Sequence, residues 1–245
     1  MKHSEREHLK ENELAKALAA ANQAIGQHRS QYLAIGAGIV ALLVAVAGYT
    51  AWSRNADNAV SGLLAEAMVI YEAPVQAPIP PVDATSTAAP AQTPGTYPTE
   101  RAKLEAALPK FLAAADASPG SGPGRLARFN AASVLIALGR FDEARAQYEQ
   151  LAGGNDLVAR GAALGRAQAQ IRAGQFDPAI ESLKALSTQT TSDLPVDGVL
   201  MELAKAYRAS GKVDDARKTL TEIVEKHAES PFAAEARTEL DKLKG

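Results

Sequence analysis

The chain has 245 residues, a formal net charge of −2 and no cysteine. Hydrophobic residues make up 47% of it and aromatic residues only 5%, with alanine at about a fifth of all positions. That excludes disulfides, thiolate metal sites and thiol nucleophiles, disfavours a nucleic-acid binder, and points to closely stacked helices rather than a β-sandwich.

Residues 1–30 carry Leu14, Leu18, Ala21 and Ile25 at helical spacing, which predicts a short amphipathic tail. Residues 31–53 follow with an uncharged core, Tyr32 to Trp52. About 21 helical residues span ~30 Å, the hydrocarbon thickness of a bilayer. Tyr32 stands at one end, Tyr49 and Trp52 at the other, where an interfacial aromatic belt belongs. A cleaved signal peptide has a shorter apolar region behind a shorter start, so an uncleaved signal anchor is expected. Lys2, Arg6, Lys10, Lys16 and Arg29 precede the span, and Arg54 alone follows within twenty residues. The positive-inside rule then places the tail in the cytoplasm and the bulk of the chain outside, in a bacterium the periplasm.

Residues 54–72 show one helical face, Leu63, Leu64, Ala67, Ile70 and Tyr71. Residues 73–98 hold seven of the thirteen prolines among Ala, Thr, Ser and Gln. So many missing donors predict a disordered or polyproline-like insertion, either a flexible loop or a Pro-rich ligand. Beyond it, in residues 99–245, one hexamer recurs: Gly139-Arg-Phe-Asp-Glu-Ala144, Gly174-Gln-Phe-Asp-Pro-Ala179 and Gly211-Lys-Val-Asp-Asp-Ala216, at spacings of 35 and 37 residues. A period in the mid-thirties predicts a solenoid of two helices per repeat. Glycine closes the first helix in a left-handed conformation. Asp142, Asp177 and Asp214 are expected as N-caps of the second, with Pro178 at its first position. Pro109 is expected to kink the helix around it or delay its start.

This pattern resembles the tetratricopeptide repeat. The last repeat carries the template best, through Leu200, Leu203, Ala204, Tyr207, Gly211, Ala216, Leu220 and Ile223. Residues 54–72 then read as helix A of a degenerate first repeat, and Ala107, Phe111 and Ala114 as its helix B, with the Pro-rich insertion between them. Ser230-Pro231 opens a capping helix with Phe232, Ala236, Leu240 and Leu243 inward and Glu235, Glu239, Asp241 and Lys242 outward. The fold class is therefore all-α, one transmembrane helix followed by a capped solenoid. As a whole the architecture is similar to the ancillary subunit of the bacterial Sec translocon, which implies a role beside the translocon, assisting exported proteins. A scaffold for envelope-assembly machinery is the alternative.

No catalytic constellation emerges. His227 stands alone near a helix end among Glu225, Lys226 and Glu229, and Gly120-Ser-Gly-Pro-Gly124 lacks the Lys-Ser/Thr of a phosphate loop. No enzyme activity, cofactor, metal or small-molecule substrate is expected. The repeat resemblance implies a concave, protein-binding groove lined by Phe129, Ser133 and Ile136, then Leu164, Gln168 and Arg172, then Met201, Lys205 and Arg208. Mixed apolar and basic groups there suit an extended or helical segment of a protein partner.

Overall fold

The computed structural model of the chain describes residues 29–79, 91–154, 156–189 and 195–243. The predicted tail helix and its basic residues up to Lys16 lie outside them. The chain divides into two units, Met1–Asn55 and Ala56–Gly245. Helix α1, Arg29–Tyr71, is unbroken and contributes to both. A boundary at residues 53/54 is therefore not a break in secondary structure: Arg54 and Asn55 change the hydropathy, and neither residue type stops a helix.

In the first unit, Ile39, Val40, Leu42, Leu43, Val44 and Val46 are all 51–66% exposed. At 100° per residue they point to several sides of the helix rather than along one stripe. Among the described residues no helix is long and apolar enough to cross a membrane. The side chains of residues 29–38, 49 and 51–56, which include much of Tyr32–Trp52, lie outside the description.

In the second unit, the end of α1 packs against α2 (Glu100–Ala117) and α3 (Gly122–Ala137). Ala67 is fully buried with Leu104, Leu108 and Phe111, and Leu64, Met68 and Ile70 close over them. Tyr71 meets Phe111 edge-on, with ring centroids 5.9 Å apart. The described ends of the insertion pair with one another. Tyr97 donates to Pro74 and Gln76 to Tyr97, while Ile79 and Ala91 exchange bonds at 2.8 and 3.0 Å. Val75 pairs with Tyr97 and Ile79 with Ala91, forming a stem whose donors escape the flanking prolines. Residues 80–90 lie outside the description.

Then α4 (Phe141–Glu149), α5 (Leu157–Arg172), α6 (Phe176–Ser187), α7 (Val196–Ala209), α8 (Val213–Lys226) and α9 (Ala233–Lys242) stack in chain order. Each packs on its neighbour, and α3, α5 and α7 also touch in sequence as one inner row. Gly139, Gly174 and Gly211 all have φ of 77–78°. Each closes the preceding helix by the same pair of bonds: for Gly139, its own N–H donates to Ile136 and the Arg140 N–H to Leu135.

That turn is so tight that the residue after glycine already serves as the next N-cap. Arg140, Gln175 and Lys212 hold that place, without a side-chain cap bond. Asp142, Asp177 and Asp214 are thus second helical residues, not N-caps, where a carboxylate still suits the helix dipole. Pro178 is the third residue rather than the first, still within the turn that has no intrahelical use for its N–H. Helix α2 runs through Pro109 without a delayed start. Pro109 and Glu105, whose carbonyl loses its partner, both face solvent, so water can serve that carbonyl. True side-chain caps occur elsewhere: Thr99, Ser121 and Asp156 accept from the N–H groups of Ala102, Gly124 and Ala159. Arg128 places a charge inside the stack. Arg128, 6% exposed, donates to Asp116 and Gln147 at 2.7 Å each and so ties α2, α3 and α4 together.

Candidate protein-binding groove

The inner row of helices positions the candidate groove. A turn ending in glycine returns each helix A to the same side, so residues 35 and 37 apart fall in one line. Ser133, Gln168 and Lys205 make one such line, and Ile136, Ile171 and Arg208 a second.

A depression of about 230 Å³ joins the three helices, lined by Ile136, Gln168, Ile171, Arg172, Glu202 and Lys205. It brings together four of the nine residues expected in the groove: Ile136, Gln168, Arg172 and Lys205. Two isoleucines give it an apolar floor, and Arg172 and Lys205 supply positive charge. Arg172 makes no hydrogen bond or ion pair among the described residues. Lys205 lies 3.3 Å from both Glu202 and Glu235. Burial works against its charge, but those carboxylates outweigh burial and hold its pKa above the ordinary lysine value.

The other five positions are used differently. Phe129 stacks edge-on against Tyr148 at 5.4 Å, and the Ser133 hydroxyl meets the Tyr148 hydroxyl at 2.9 Å. Burial pushes the Tyr148 phenol up, partly offset by that bond to Ser133, so it stays a neutral structural contact. Leu164 packs on the core shared by α5, α6 and α7. Met201 is only 1% exposed and belongs to the same core, and with Lys205 and Arg208 it lines a small recess bordered by Glu239. The groove-facing phase of α7 runs through Glu202 and Lys205, one residue further on. Arg208 is engaged by Glu239 of α9. Glu235 and Glu239, expected on the outside of the capping helix, in fact turn toward α7, because its basic residues lie beside them.

Sequence reasoning missed Ile171 and Glu202. The repeat arithmetic contained the first: adding 35 to Ile136 gives Ile171, not Arg172. Glu202 carried no local signal, since only the rotation of α7 within its repeat distinguishes it from Met201. Among the described residues, no group of three or more His, Cys, Asp or Glu side chains is placed to hold a metal ion.

Comparison with known proteins fits this geometry. Residues 129–193 and 199–230 match family profiles described as tetratricopeptide repeat. These two stretches are thus tetratricopeptide repeats, a kind of repeat that implies a scaffold for protein–protein interaction. Among solved structures the chain is similar to a singly substituted form of the nearly identical TPR-like repeats of a Podosopora anserina protein named for the kinesin light chain. Identity is 20%, the TM-score 0.50, and the match covers 58% of this chain and 77% of that one. A second structure of those repeats has 20% identity, the same coverage and a TM-score of 0.49. At such identity the first likeness speaks for the fold alone. No curated protein is significantly similar in sequence.

Proposed function

We propose that this chain is a membrane-anchored protein-binding module whose groove captures a segment of an exported or envelope protein. The observation that carries the binding half is the depression spanning three repeats, apolar at Ile136 and Ile171 and cationic at Arg172. A guanidinium with no ion-pair partner among the described residues, beside an apolar floor, suits a peptide with an apolar residue next to a carboxylate or a free backbone carbonyl. The anchoring half is supported by the uncharged run Tyr32–Trp52 and by large apolar side chains that point to several sides of α1. A protein core would cover one face of such a helix, whereas lipid would solvate those side chains all round.

The basic residues ahead of the run support a cytoplasmic N-terminus and an exported, periplasmic solenoid. In that setting the architecture fits an ancillary subunit of the Sec translocon, assisting newly exported chains. Photocrosslinking from residue 168 in intact membranes tests the reading. Translocon subunits and nascent exported chains are the expected products. Envelope-assembly proteins in their place would make the chain a scaffold instead. Arg172→Glu is expected to reduce crosslinking at least fivefold with Tm unchanged, and full crosslinking in that variant would remove the groove from the proposal.

A further inference from the structure

The depression reaches α7 at Glu202 and Lys205, but the basic residues of α7 are engaged from the capping helix. There, Lys205 and Arg208 meet Glu235 and Glu239, which stand one helical turn apart on α9. Lys205 does both jobs: it borders the depression and reaches Glu235 at 3.3 Å. Lys242 and then Arg208 hold the Glu239 carboxyl below the usual glutamate range, so it is charged at neutral pH.

The helix that presents these acids is lightly held. Its ten residues bury only two side chains fully, Ala233 and Ala236, while Phe232, Leu240 and Leu243 are partly exposed. Alanines contribute little apolar area, and ion pairs whose basic partners are 38% and 48% exposed add little more.

We infer that α9 is a displaceable acidic strap, an intramolecular stand-in for an acidic helical segment of a protein partner that takes the same place on α7. This rests on the groove reading and deepens it by naming the ligand class: a short amphipathic helix with two carboxylates one turn apart beside small side chains. When such a segment engages α3 and α5, it pairs its carboxylates with Lys205 and Arg208 of α7 only by lifting α9. Glu235 and Glu239 therefore set a threshold for capture, because the partner must outcompete an acid already tethered at high local concentration.

The test uses the full chain in detergent and a labelled peptide of its own residues 229–243. In E235K/E239K the tethered strap repels α7, so the added peptide is expected to bind at least tenfold more tightly than to wild type. A peptide with both glutamates replaced by glutamine is expected to lose that gain. Amide exchange across residues 233–242 should quicken at least tenfold in the variant while α7 and α8 keep wild-type protection. E235Q/E239Q is expected to move both readouts in the same direction by less, and it serves should charge reversal disturb α8. Equal peptide binding by wild type and variant, or unchanged exchange in α9, would overturn the strap. Arg172 takes no part in it, so loss of partner crosslinking in Arg172→Glu alongside inert strap variants would leave the groove standing and remove only α9.

Discussion

Helices α5 and α7 occupy equivalent places in successive repeats and fill the core by opposite means. In α5 the buried positions other than Gln170 are small, Ala159, Ala162, Gly165, Ala167 and Ala169, and bulk comes from neighbours. The Tyr148 ring lies where a side chain on Gly165 would stand, and Phe129 comes close over Gly161. In α7 the bulk is the helix's own: Val199, Leu200, Met201, Leu203 and Tyr207 are all buried. One turn grammar thus tolerates two packing solutions, provided each interface pairs a large side with a small one. That is how α5 stacks in register with few large apolar side chains of its own in the core.

The contrast predicts opposite sensitivities. Met201→Ala should cost the most, about 3 kcal/mol, because it empties a fully buried site that no neighbour fills. In α5 the damaging change is addition. A Cβ on Gly165 would sit 2.4 Å from the Tyr148 ring, so Gly165→Ala should cost about 2 kcal/mol despite alanine's better helix propensity. Thermal unfolding of both variants checks the ranking. Removing the ring with Tyr148→Leu should make Gly165→Ala nearly harmless, a coupling that a double-mutant cycle reads directly. If the two changes simply add, the ring is not what Gly165 accommodates.

These two helices also show what a sequence discloses. The turns were legible because a positive φ is a local demand, and Gly139, Gly174 and Gly211 meet it wherever the rest of the repeat drifts. The groove was legible only in part, since it depends on rotation about each helix axis, and rotation follows from packing. Met201 and Glu202 are adjacent in sequence, yet one is core and the other borders the groove. The N-caps failed for a related reason: sharing one residue between the end of one helix and the start of the next moves each aspartate two places inward. The insertion's stem was illegible because its pairings join residues far apart in sequence, such as Val75 with Tyr97. No local pattern marks such a pairing.

The two repeats should behave alike where they share the turn and differ at the start of helix A. Gly174→Ala and Gly211→Ala each force alanine into φ near +77° with open space around it, so both should cost roughly 1 kcal/mol, and by the same amount. Unequal costs would mean that the turns are not interchangeable. The smallest expected effect lies at the caps. Helix α7 begins at Pro195 without a side-chain cap bond, whereas α5 begins at Asp156, which accepts from the Ala159 N–H at 2.8 Å and pairs with Arg125. The Arg125 guanidinium, then the Ala159 amide, hold the Asp156 carboxyl down at about 2, against 3.8 for an unperturbed aspartate. A depressed folded pKa means that the unfolded chain takes up the proton first on acidification. The stabilisation is therefore complete above pH ~4 and fades as pH falls toward about 2. Asp156→Asn should lower Tm slightly and by a constant amount from about pH 5 to 7, and the gap to wild type should close between about pH 4 and 2. A gap that persists at the acid end would show that Asp156 acts there through packing, and not through its charge.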